Sequence, residues 1–171
     1  DQETELSRVY IKGLIEMNPK TNYYPDANSS IRLTYGKVKP YMNFEVMTYL
    51  DGVIEKNKKF KDNPEYDLPQ NLLDAYNAKN FGSYTDKTGK VPVCFLTDND
   101  ITGGNSGSPV MDAEGRLIGL AFDGNWEAMS GNIHYEPSKQ RTIVVDIRYV
   151  LWIIDKLGGA NNLIEEMKIE G

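Results

Sequence analysis

The residues best suited to chemistry lie in one glycine-rich segment, residues 98–109, which reads Asp-Asn-Asp-Ile-Thr-Gly-Gly-Asn-Ser-Gly-Ser-Pro. Three well-known kinds of site are excluded there. A calcium loop that begins at Asp98 requires a bidentate glutamate at its twelfth position, where the chain has Pro109. A phosphate-binding P-loop requires a Gly-Lys-Ser/Thr ending, which the segment lacks. An α/β-hydrolase nucleophile elbow requires a second glycine where this chain has Ser108, and a helix where a strand is predicted.

Two interpretations of the segment remain open from its residues. In the first, Ser106 is a nucleophile, and the glycines at 104 and 107 let a substrate backbone approach its hydroxyl and let the chain adopt positive φ. The backbone N–H groups of Gly104 and Ser106 would then form an oxyanion hole, a device in which each donor contributes about 10²–10³ to turnover. In the second, the segment is a glycine- and serine-rich β-turn without chemistry.

A serine nucleophile also needs a base, and a carboxylate to orient that base. His134 is the only histidine in the chain, and it lies 28 residues after Ser106, followed by Tyr135, Glu136 and Pro137 in a predicted exposed loop. We therefore expect His134 to be a solvated loop residue, and we expect the base to lie outside this sequence.

Composition narrows the other options for the chain, which has 171 residues and a formal net charge of −6. This length suits one domain or one part of a larger one. A single cysteine and a single histidine exclude an internal disulfide and a multi-histidine metal site, and no metal or cofactor is expected. Without a basic stripe, nucleic acid is not an expected partner. The longest apolar runs fall far short of the ~20 residues of a membrane span. The start at Asp1, without an initiator methionine, indicates a processed or excised piece.

The elements that must position the segment are predicted to be mainly β with flanking helices. In the first half, hydrophobic spacing predicts a helix over 4–17 with one buried face, strands at 31–35 and 44–49, a turn at Asp51-Gly52, an exposed stretch over 56–69 and a short helix over 69–78. In the second half, it predicts strands at 91–96 and 141–146, a hairpin of 108–111 and 116–122, and helices over 147–157 and 161–167. Trp126 and Trp152 are expected to pack internally.

Residues 103–109 resemble the nucleophile motif of chymotrypsin-fold serine peptidases, and their Asn-Ser-Gly-Ser-Pro variant is similar to that of glutamyl endopeptidases. Further stretches look like the bacterial serine dipeptidyl-peptidases of the seven and eleven family, namely residues 24–29, 50–56, 100–104, 119–127 and 145–151. The resemblance covers nearly the whole chain. It implies a chymotrypsin-like double β-barrel with a helical domain inserted between its halves. Residues 21–171 would form the second antiparallel β-barrel with C-terminal helices, and residues 1–20 a helical lead-in from the inserted domain.

The resemblance also implies a role for individual residues. Ser106 would be the acylated nucleophile, with the N–H groups of Gly104 and Ser106 as its oxyanion hole. Asp123 matches the carboxylate that receives the free α-amino group of the substrate, although its residue type alone would suggest an ordinary turn carboxylate. Gly124 stands where the Asp/Glu-preferring branch carries arginine, so we expect room there and a hydrophobic P1 residue, as in the seven branch. The catalytic His and Asp of the family lie upstream, on the first barrel.

These expectations describe the C-terminal portion of a periplasmic or cell-surface serine exopeptidase that releases dipeptides from peptide N-termini through an acyl-enzyme on Ser106. Its partners would be peptide substrates and the upstream barrel and helical domain of the same enzyme, with a homodimer left open for the intact protein. The piece alone is expected to be inactive, since the triad partners are missing. Two alternatives are a glutamyl-type serine endopeptidase and a non-catalytic peptide-binding module that retains the peptidase turn.

Overall fold

The computed structural model describes residues 2–21, 23–24, 29–42, 45–131 and 135–170. These fall into two units, Asp1–Ile31 and Arg32–Gly171. The first unit contains helix α1 (Gln2–Met17), which confirms the helix predicted over 4–17. The predicted buried face is wrong, because no described residue of α1 is buried and Met17 is 77% exposed. Apolar spacing is enough to make the helix amphipathic, whereas burial needs a packed neighbour that the first unit does not supply.

The second unit is built on a five-stranded sheet in the order β1-β2-β5-β4-β3, and every neighbouring pair of strands is antiparallel. The predicted antiparallel sheet with flanking helices is confirmed, but the description as mainly β is wrong, because more of the described residues lie in helices than in strands. Over the described residues β1 and β3 are the two edges of an open sheet, and its place in a barrel stays a prediction. The strands are β1 (Met47–Tyr49), β2 (Pro92–Thr97), β3 (Pro109–Met111), β4 (Leu117–Gly124) and β5 (Thr142–Asp146).

The hairpin of β3 and β4 is confirmed, together with the strands predicted near 91–96 and 141–146. Its turn is specified locally. The Asp112 carboxylate accepts hydrogen bonds from the N–H groups of Glu114 at 3.0 Å and Arg116 at 2.9 Å, and Gly115 has φ +81°. Of the strand predicted over 44–49, the last three residues form β1, and Phe44 lies outside the described residues.

Helices pack around the sheet, namely α2 (Leu50–Lys59), α3 (Gln70–Asn77), α4 (Ile147–Trp152) and α5 (Asn161–Glu166). Three of them confirm the predicted helices, and α4 continues through a π-helical turn to Leu157. The turn predicted at Asp51-Gly52 is wrong, because both residues lie in α2. Nothing lies within 4 Å of a Cβ placed on Gly52, so this glycine fits a helix as well as a turn. The stretch 56–69 is largely exposed, but it starts in the last turn of α2 and holds a 3₁₀ turn at Pro64–Tyr66.

The apolar core lies between the helices and the sheet, with the fully buried Trp152 at its centre. The indole N–H of Trp152 donates to the carbonyl of Asn80 at 2.9 Å, which satisfies its polar atom, and its ring stacks on that of Tyr149. This confirms the expectation for Trp152. The other buried apolar residues of this cluster are Leu50, Ile54, Leu72, Tyr84, Val91 and Leu151.

Residues 32–39 form an extended segment, called the strap below, where a strand over 31–35 was predicted. That prediction is wrong, because only Val38 bridges to the sheet, at Thr97. The side chains do alternate, but it is the polar ones that contact the rest of the unit: Leu33 and Tyr35 are each 88% exposed, whereas Arg32 and Thr34 hydrogen-bond to residues of the loop over 98–105. The orientation follows from the neighbour of the strap, a loop rich in carbonyl and hydroxyl acceptors that bind polar side chains.

Candidate active site

Ser106 lies on an exposed turn between β2 and β3. The positive φ predicted for its flanking glycines is confirmed, with +94° at Gly104 and +78° at Gly107. Local hydrogen bonds shape the turn. The Asn105 N–H donates to the Thr102 carbonyl at 3.2 Å, and the Asn105 side-chain oxygen accepts from the Thr102 N–H at 3.1 Å.

Strand β4 holds the other side of the turn. The Gly107 N–H donates to the Ala121 carbonyl at 2.7 Å, and the Ala121 N–H donates to the Ser108 carbonyl at 2.9 Å. The Ser106 hydroxyl donates to the Phe122 carbonyl at 3.4 Å, a long and weak bond. Phe122 sits where the pairing of β4 with β5 is irregular, so its carbonyl is available to the hydroxyl. The turn backbone is therefore fixed, while the hydroxyl is held loosely.

The backbone donors of the turn differ in whether they have a protein acceptor. The N–H groups of Asn105, Gly107 and Ser108 donate to carbonyls, whereas within the described part of the chain those of Gly104 and Ser106, like that of Gly103, donate to nothing. Unpaired N–H groups are costly unless they face solvent or a ligand. Together with the exposed hydroxyl, they make a site suited to an oxygen that carries negative charge.

Asp123 follows directly after the residue whose carbonyl meets the Ser106 hydroxyl. Its side chain is exposed, and one carboxylate oxygen accepts from the Gly124 N–H at 2.7 Å. Asp123 forms no ion pair with any described residue. The second carboxylate oxygen can thus bind a cation from solution or from a substrate.

Gly124 ends β4, and the structure corrects the expectation that this glycine leaves room. A Cβ placed on Gly124 would lie 2.7 Å from the Cβ of Ala128, so the space is already occupied. Ala128 belongs to a 3₁₀ turn, Trp126–Ser130, that folds back over Gly124. The expectation that Trp126 packs internally is wrong, because this residue is 81% exposed. Met129 on the same 3₁₀ turn is also exposed, at 75%.

The strap supports the turn from the other side. The Arg32 guanidinium donates through Nη1 to Thr102 Oγ1 at 2.6 Å, and through Nη2 to the Gly103 carbonyl at 3.2 Å and Asn105 Oδ1 at 3.4 Å. The Thr34 hydroxyl donates to the Asp100 carbonyl at 2.7 Å. Sequence reasoning missed these residues, because Arg32 and Thr102 are 70 positions apart and no local pattern links them.

The far end of the strap is tied to the start of the same loop. Asp98 accepts a hydrogen bond from the Lys37 N–H at 2.7 Å and forms an ion pair with Lys39 at 3.5 Å. These partners, the Lys37 N–H above all, lower the pKa of Asp98 below its ordinary value of 3.8. A Cβ placed on Gly36 would lie 2.6 Å from the Asn99 nitrogen, so only glycine fits here. Gly36 was the one sequence signal for this close approach.

Arg141 fixes the loop beyond Gly124. It is only 3% exposed, and its guanidinium donates to the Pro40 carbonyl at 2.9 and 3.1 Å and to the Pro137 carbonyl at 2.8 Å. Its own N–H donates to the Asn125 side chain at 2.8 Å. This cation is therefore committed to backbone oxygens and does not reach the surface around Asp123.

Comparison with known proteins decides the family. The family model described as Peptidase S46 matches residues 1–169. The chain belongs to the Peptidase S46 family. It is 53% identical over 169 residues to dipeptidyl-peptidase 7 of Phocaeicola vulgatus and 50% identical over 169 to the Asp/Glu-specific dipeptidyl-peptidase of Flavobacterium psychrophilum. Each alignment covers 96% of this chain and 23% of the relative, so the chain spans about a quarter of their length.

Solved structures of S46 relatives show the same fold. Porphyromonas endodontalis DPP11 in complex with the dipeptide Arg-Asp matches with a TM-score of 0.83 and 43% identity, over 95% of this chain and 24% of that one. The resemblance to the bacterial dipeptidyl-peptidases is confirmed. The relatives carry both kinds of name at similar identity, so the choice between the seven and eleven branches stays a prediction.

His134 lies outside the described residues, so its role as a solvated loop residue stays a prediction. In the described ranges, no group of three or more His, Cys, Asp or Glu side chains could hold a metal ion. Nor does any described helix have the length and apolar character needed to cross a membrane.

Proposed function

We propose that this chain is the C-terminal part of a longer serine exopeptidase that releases dipeptides from the free N-termini of oligopeptides. Membership of the S46 family supports this, as does the alignment with a quarter of each dipeptidyl-peptidase. The observation that carries it is the exposed Ser106 hydroxyl next to the backbone N–H groups of Gly104 and Ser106, for which the described residues offer no acceptor. Serine acyl transfer needs that combination, and a plain β-turn does not.

In the proposed reaction, Ser106 Oγ attacks the carbonyl carbon of the second substrate residue, and its proton passes to a histidine base. The oxygen of the tetrahedral intermediate takes hydrogen bonds from the N–H groups of Gly104 and Ser106. The base then protonates the leaving amine, an ester forms on Ser106, and water hydrolyses it to a free dipeptide. We assign the base and its orienting aspartate to the upstream barrel. The weak bond from Ser106 to Phe122 is easily exchanged for one to that base.

Asp123 is proposed to bind the free α-amino group of the substrate. An extended dipeptide reaches roughly 7 Å from its scissile carbonyl to its N-terminus, at 3.3–3.6 Å per residue. Asp123 lies next in β4 to the residue that contacts Ser106, and its carboxylate is exposed and without an ion-pair partner among the described residues. A carboxylate so placed favours an exopeptidase over a glutamyl-type endopeptidase, which cleaves within a chain and gains nothing from binding an α-amino group.

We further propose a hydrophobic P1 preference. Gly124 offers no side chain, and Ala128 packs on it with a methyl group. Arg141, beside the β5 partner of Gly124, is buried on backbone carbonyls and cannot pair with an acidic P1 side chain. The exposed Trp126 and Met129 on the adjoining 3₁₀ turn offer apolar surface instead.

The wider setting belongs to the same proposal. Residues 21–171 would form the second β-barrel of a chymotrypsin-like pair, and residues 1–20 would belong to the inserted helical domain. The enzyme would act in the periplasm or at the cell surface on peptides, without a cofactor. The isolated chain would not turn over substrate.

The nucleophile is tested in the full-length protein with dipeptidyl-aminomethylcoumarin substrates and a fluorophosphonate probe. We expect Ser106→Ala to abolish labelling and to lower kcat by about 10³–10⁶. Ser108→Ala is the matched control in the same turn, and we expect it to keep both. If the probe labels the Ser106→Ala variant at the wild-type rate, Ser106 is not the nucleophile. If N-acetylated substrates are cleaved as fast as those with a free α-amino group, the protein is an endopeptidase and not an exopeptidase. If the full-length protein turns over no substrate, the non-catalytic peptide-binding module is favoured.

The P1 preference is tested by a paired substitution, because arginine alone would clash with Ala128. We expect Gly124→Arg with Ala128→Gly to raise kcat/KM for Asp and Glu at P1 by about tenfold or more relative to Leu, through a new ion pair. Ala128→Gly alone is the control and should leave the ranking unchanged. An unaltered ranking in the double variant would remove Gly124 from the S1 pocket.

A further inference from the structure

We propose that Arg32 is a positioning residue that sets the orientation of one oxyanion-hole donor, the Gly104 N–H. This inference rests on the proposed role of Ser106 as nucleophile. Among the described residues, the Arg32 guanidinium has three acceptors in residues 102–105, immediately before Ser106. Among the residues that the structure describes, no side chain from elsewhere in the chain donates a hydrogen bond to this stretch apart from Arg32.

The decisive contact is that between Arg32 Nη2 and the Gly103 carbonyl, at 3.2 Å. The Gly103 carbonyl and the Gly104 N–H belong to one planar trans peptide group, so they point in opposite directions and turn together. Fixing the oxygen therefore fixes the direction of the N–H. Through this peptide, Arg32 sets the donor without touching the substrate.

This peptide needs such a restraint because both residues that flank it are glycines. Glycine reaches positive and negative φ with similar ease, so a Gly-Gly peptide can rotate at little cost. Gly104 has φ +94°, and a Cβ placed on Gly103 would meet nothing within 4 Å, so neither sterics nor packing restrains the peptide. Hydrogen bonding at the carbonyl is the restraint that remains.

The other two acceptors keep the guanidinium in place. The 2.6 Å bond to Thr102 Oγ1 is short, and Asn105 Oδ1 accepts both from Arg32 and from the Thr102 N–H. The strap in turn is fixed to the loop by the Thr34 hydroxyl and by the close approach at Gly36. The guanidinium presents its N–H donors from two terminal nitrogens in fixed directions, which matches acceptors on both sides of the fork; a lysine ammonium carries its three donors on one nitrogen and does not match this spacing.

The prediction is a loss in the chemical step with little loss in binding. In the full-length protein, Arg32→Ala should lower kcat about 10- to 100-fold, since a misdirected donor acts like a partly removed one. KM should stay within about threefold, because Arg32 does not contact the substrate. The rate of Ser106 labelling by a fluorophosphonate should fall in parallel. Arg32→Lys should recover only a small part of kcat.

Chemical rescue separates positioning from general damage. Methylguanidine should restore part of the kcat of Arg32→Ala and should leave the control Arg116→Ala unaffected. Arg116 is an exposed arginine of the hairpin turn that pairs with Asp112 and Glu114, away from the Ser106 turn, so its removal should not change kcat. If Arg32→Ala fails to fold, Thr102→Val removes the shortest contact alone and should lower kcat with KM unchanged.

A wild-type kcat in both Arg32→Ala and Thr102→Val would overturn the positioning role. So would a loss confined to KM, or a kcat loss that follows the melting temperature and shows no rescue. The Ser106→Ala variant keeps this failure distinct from failure of the proposed function. If Ser106→Ala is inactive while the Arg32 and Thr102 variants are normal, only the positioning role is lost.

Discussion

Strand β3 has a glycine turn at each end, and the two turns are held in different ways. The hairpin turn after β3 is closed by the Asp112 carboxylate, which binds N–H groups two and four residues further on. The Ser106 turn before β3 depends on Arg32, 70 or more residues away, and on β4. A turn that satisfies its own N–H groups needs no outside help. One that leaves some of them open for a ligand must be fixed from elsewhere.

The largest difference between the two turns is expected in kcat when the positive-φ glycine of each turn is replaced by alanine. Gly104 has φ +94° and Gly115 has φ +81°, so alanine is strained at both and should cost about 1–3 kcal/mol of stability in either place. Gly104→Ala should also lower kcat by about 10²–10³, because the Gly104 N–H is a proposed oxyanion donor. Gly115→Ala should leave kcat unchanged. Thermal unfolding and steady-state kinetics on both variants check this, and equal kinetic losses would contradict the comparison.

A smaller effect on stability and kcat is expected from a substitution that displaces the strap from the loop over 98–105. A Cβ on Gly36 would lie 2.6 Å from the Asn99 nitrogen, so Gly36→Ala should destabilise the protein by about 1–3 kcal/mol and lower kcat through a displaced strap. Gly52→Ala is the matched control. It lies in α2 with open space around it, and should stabilise the protein by about 0.5–1 kcal/mol. A Gly36→Ala protein with wild-type stability would show that the strap adjusts freely.

The smallest effect is expected in the melting temperature at acid pH, where Asp98 and Asp112 become protonated. Hydrogen bonds from backbone N–H groups lower the pKa of Asp98, through Lys37, and of Asp112, through Arg116, below 3.8. A folded-state pKa below the unfolded one gives stability that is present above about pH 4 and is lost as pH falls through the lower folded value. Asp98→Asn and Asp112→Asn should each flatten the fall in melting temperature below about pH 4.

The rate of Ser106 labelling should distinguish Asp98 from Asp112. Only Asp98→Asn should slow fluorophosphonate labelling of Ser106, because only Asp98 is bound to the strap. Labelling slowed to the same extent in Asp112→Asn would contradict this difference.

Sequence predicted the parts of this molecule that local patterns specify. The hairpin, α3 and the Ser106 turn follow from proline, glycine and aspartate at positions where their backbone preferences act directly. The motif also placed Ser106 and Gly104 together in the turn. The family resemblance extended this to the whole chain, as the S46 match confirms.

What sequence could not predict is decided by neighbours distant in the chain. The alternation at 31–35 indicated a strand, but the acceptors of residues 98–105 drew Arg32 and Thr34 inward and left Leu33 outside. The apolar spacing of α1 indicated a buried face, but no described residue of this helix is buried. The clash at Gly124 depends on Ala128 folding back, and periodicity carries no information about such a contact.

The separation between Arg32 and the Ser106 turn also affects the order of folding. The hairpin turn closes over four residues, whereas the contact between Arg32 and Thr102 closes a loop of about seventy, and long loops form late because their ends must first be brought together. The chain should therefore form the β3–β4 hairpin before the Ser106 turn is held in place. In a refolding experiment on the full-length protein, protection of the hairpin amides from hydrogen exchange should precede Ser106 labelling by a measurable lag. The proposed nucleophile would then be one of the last parts of this sheet edge to take its final position.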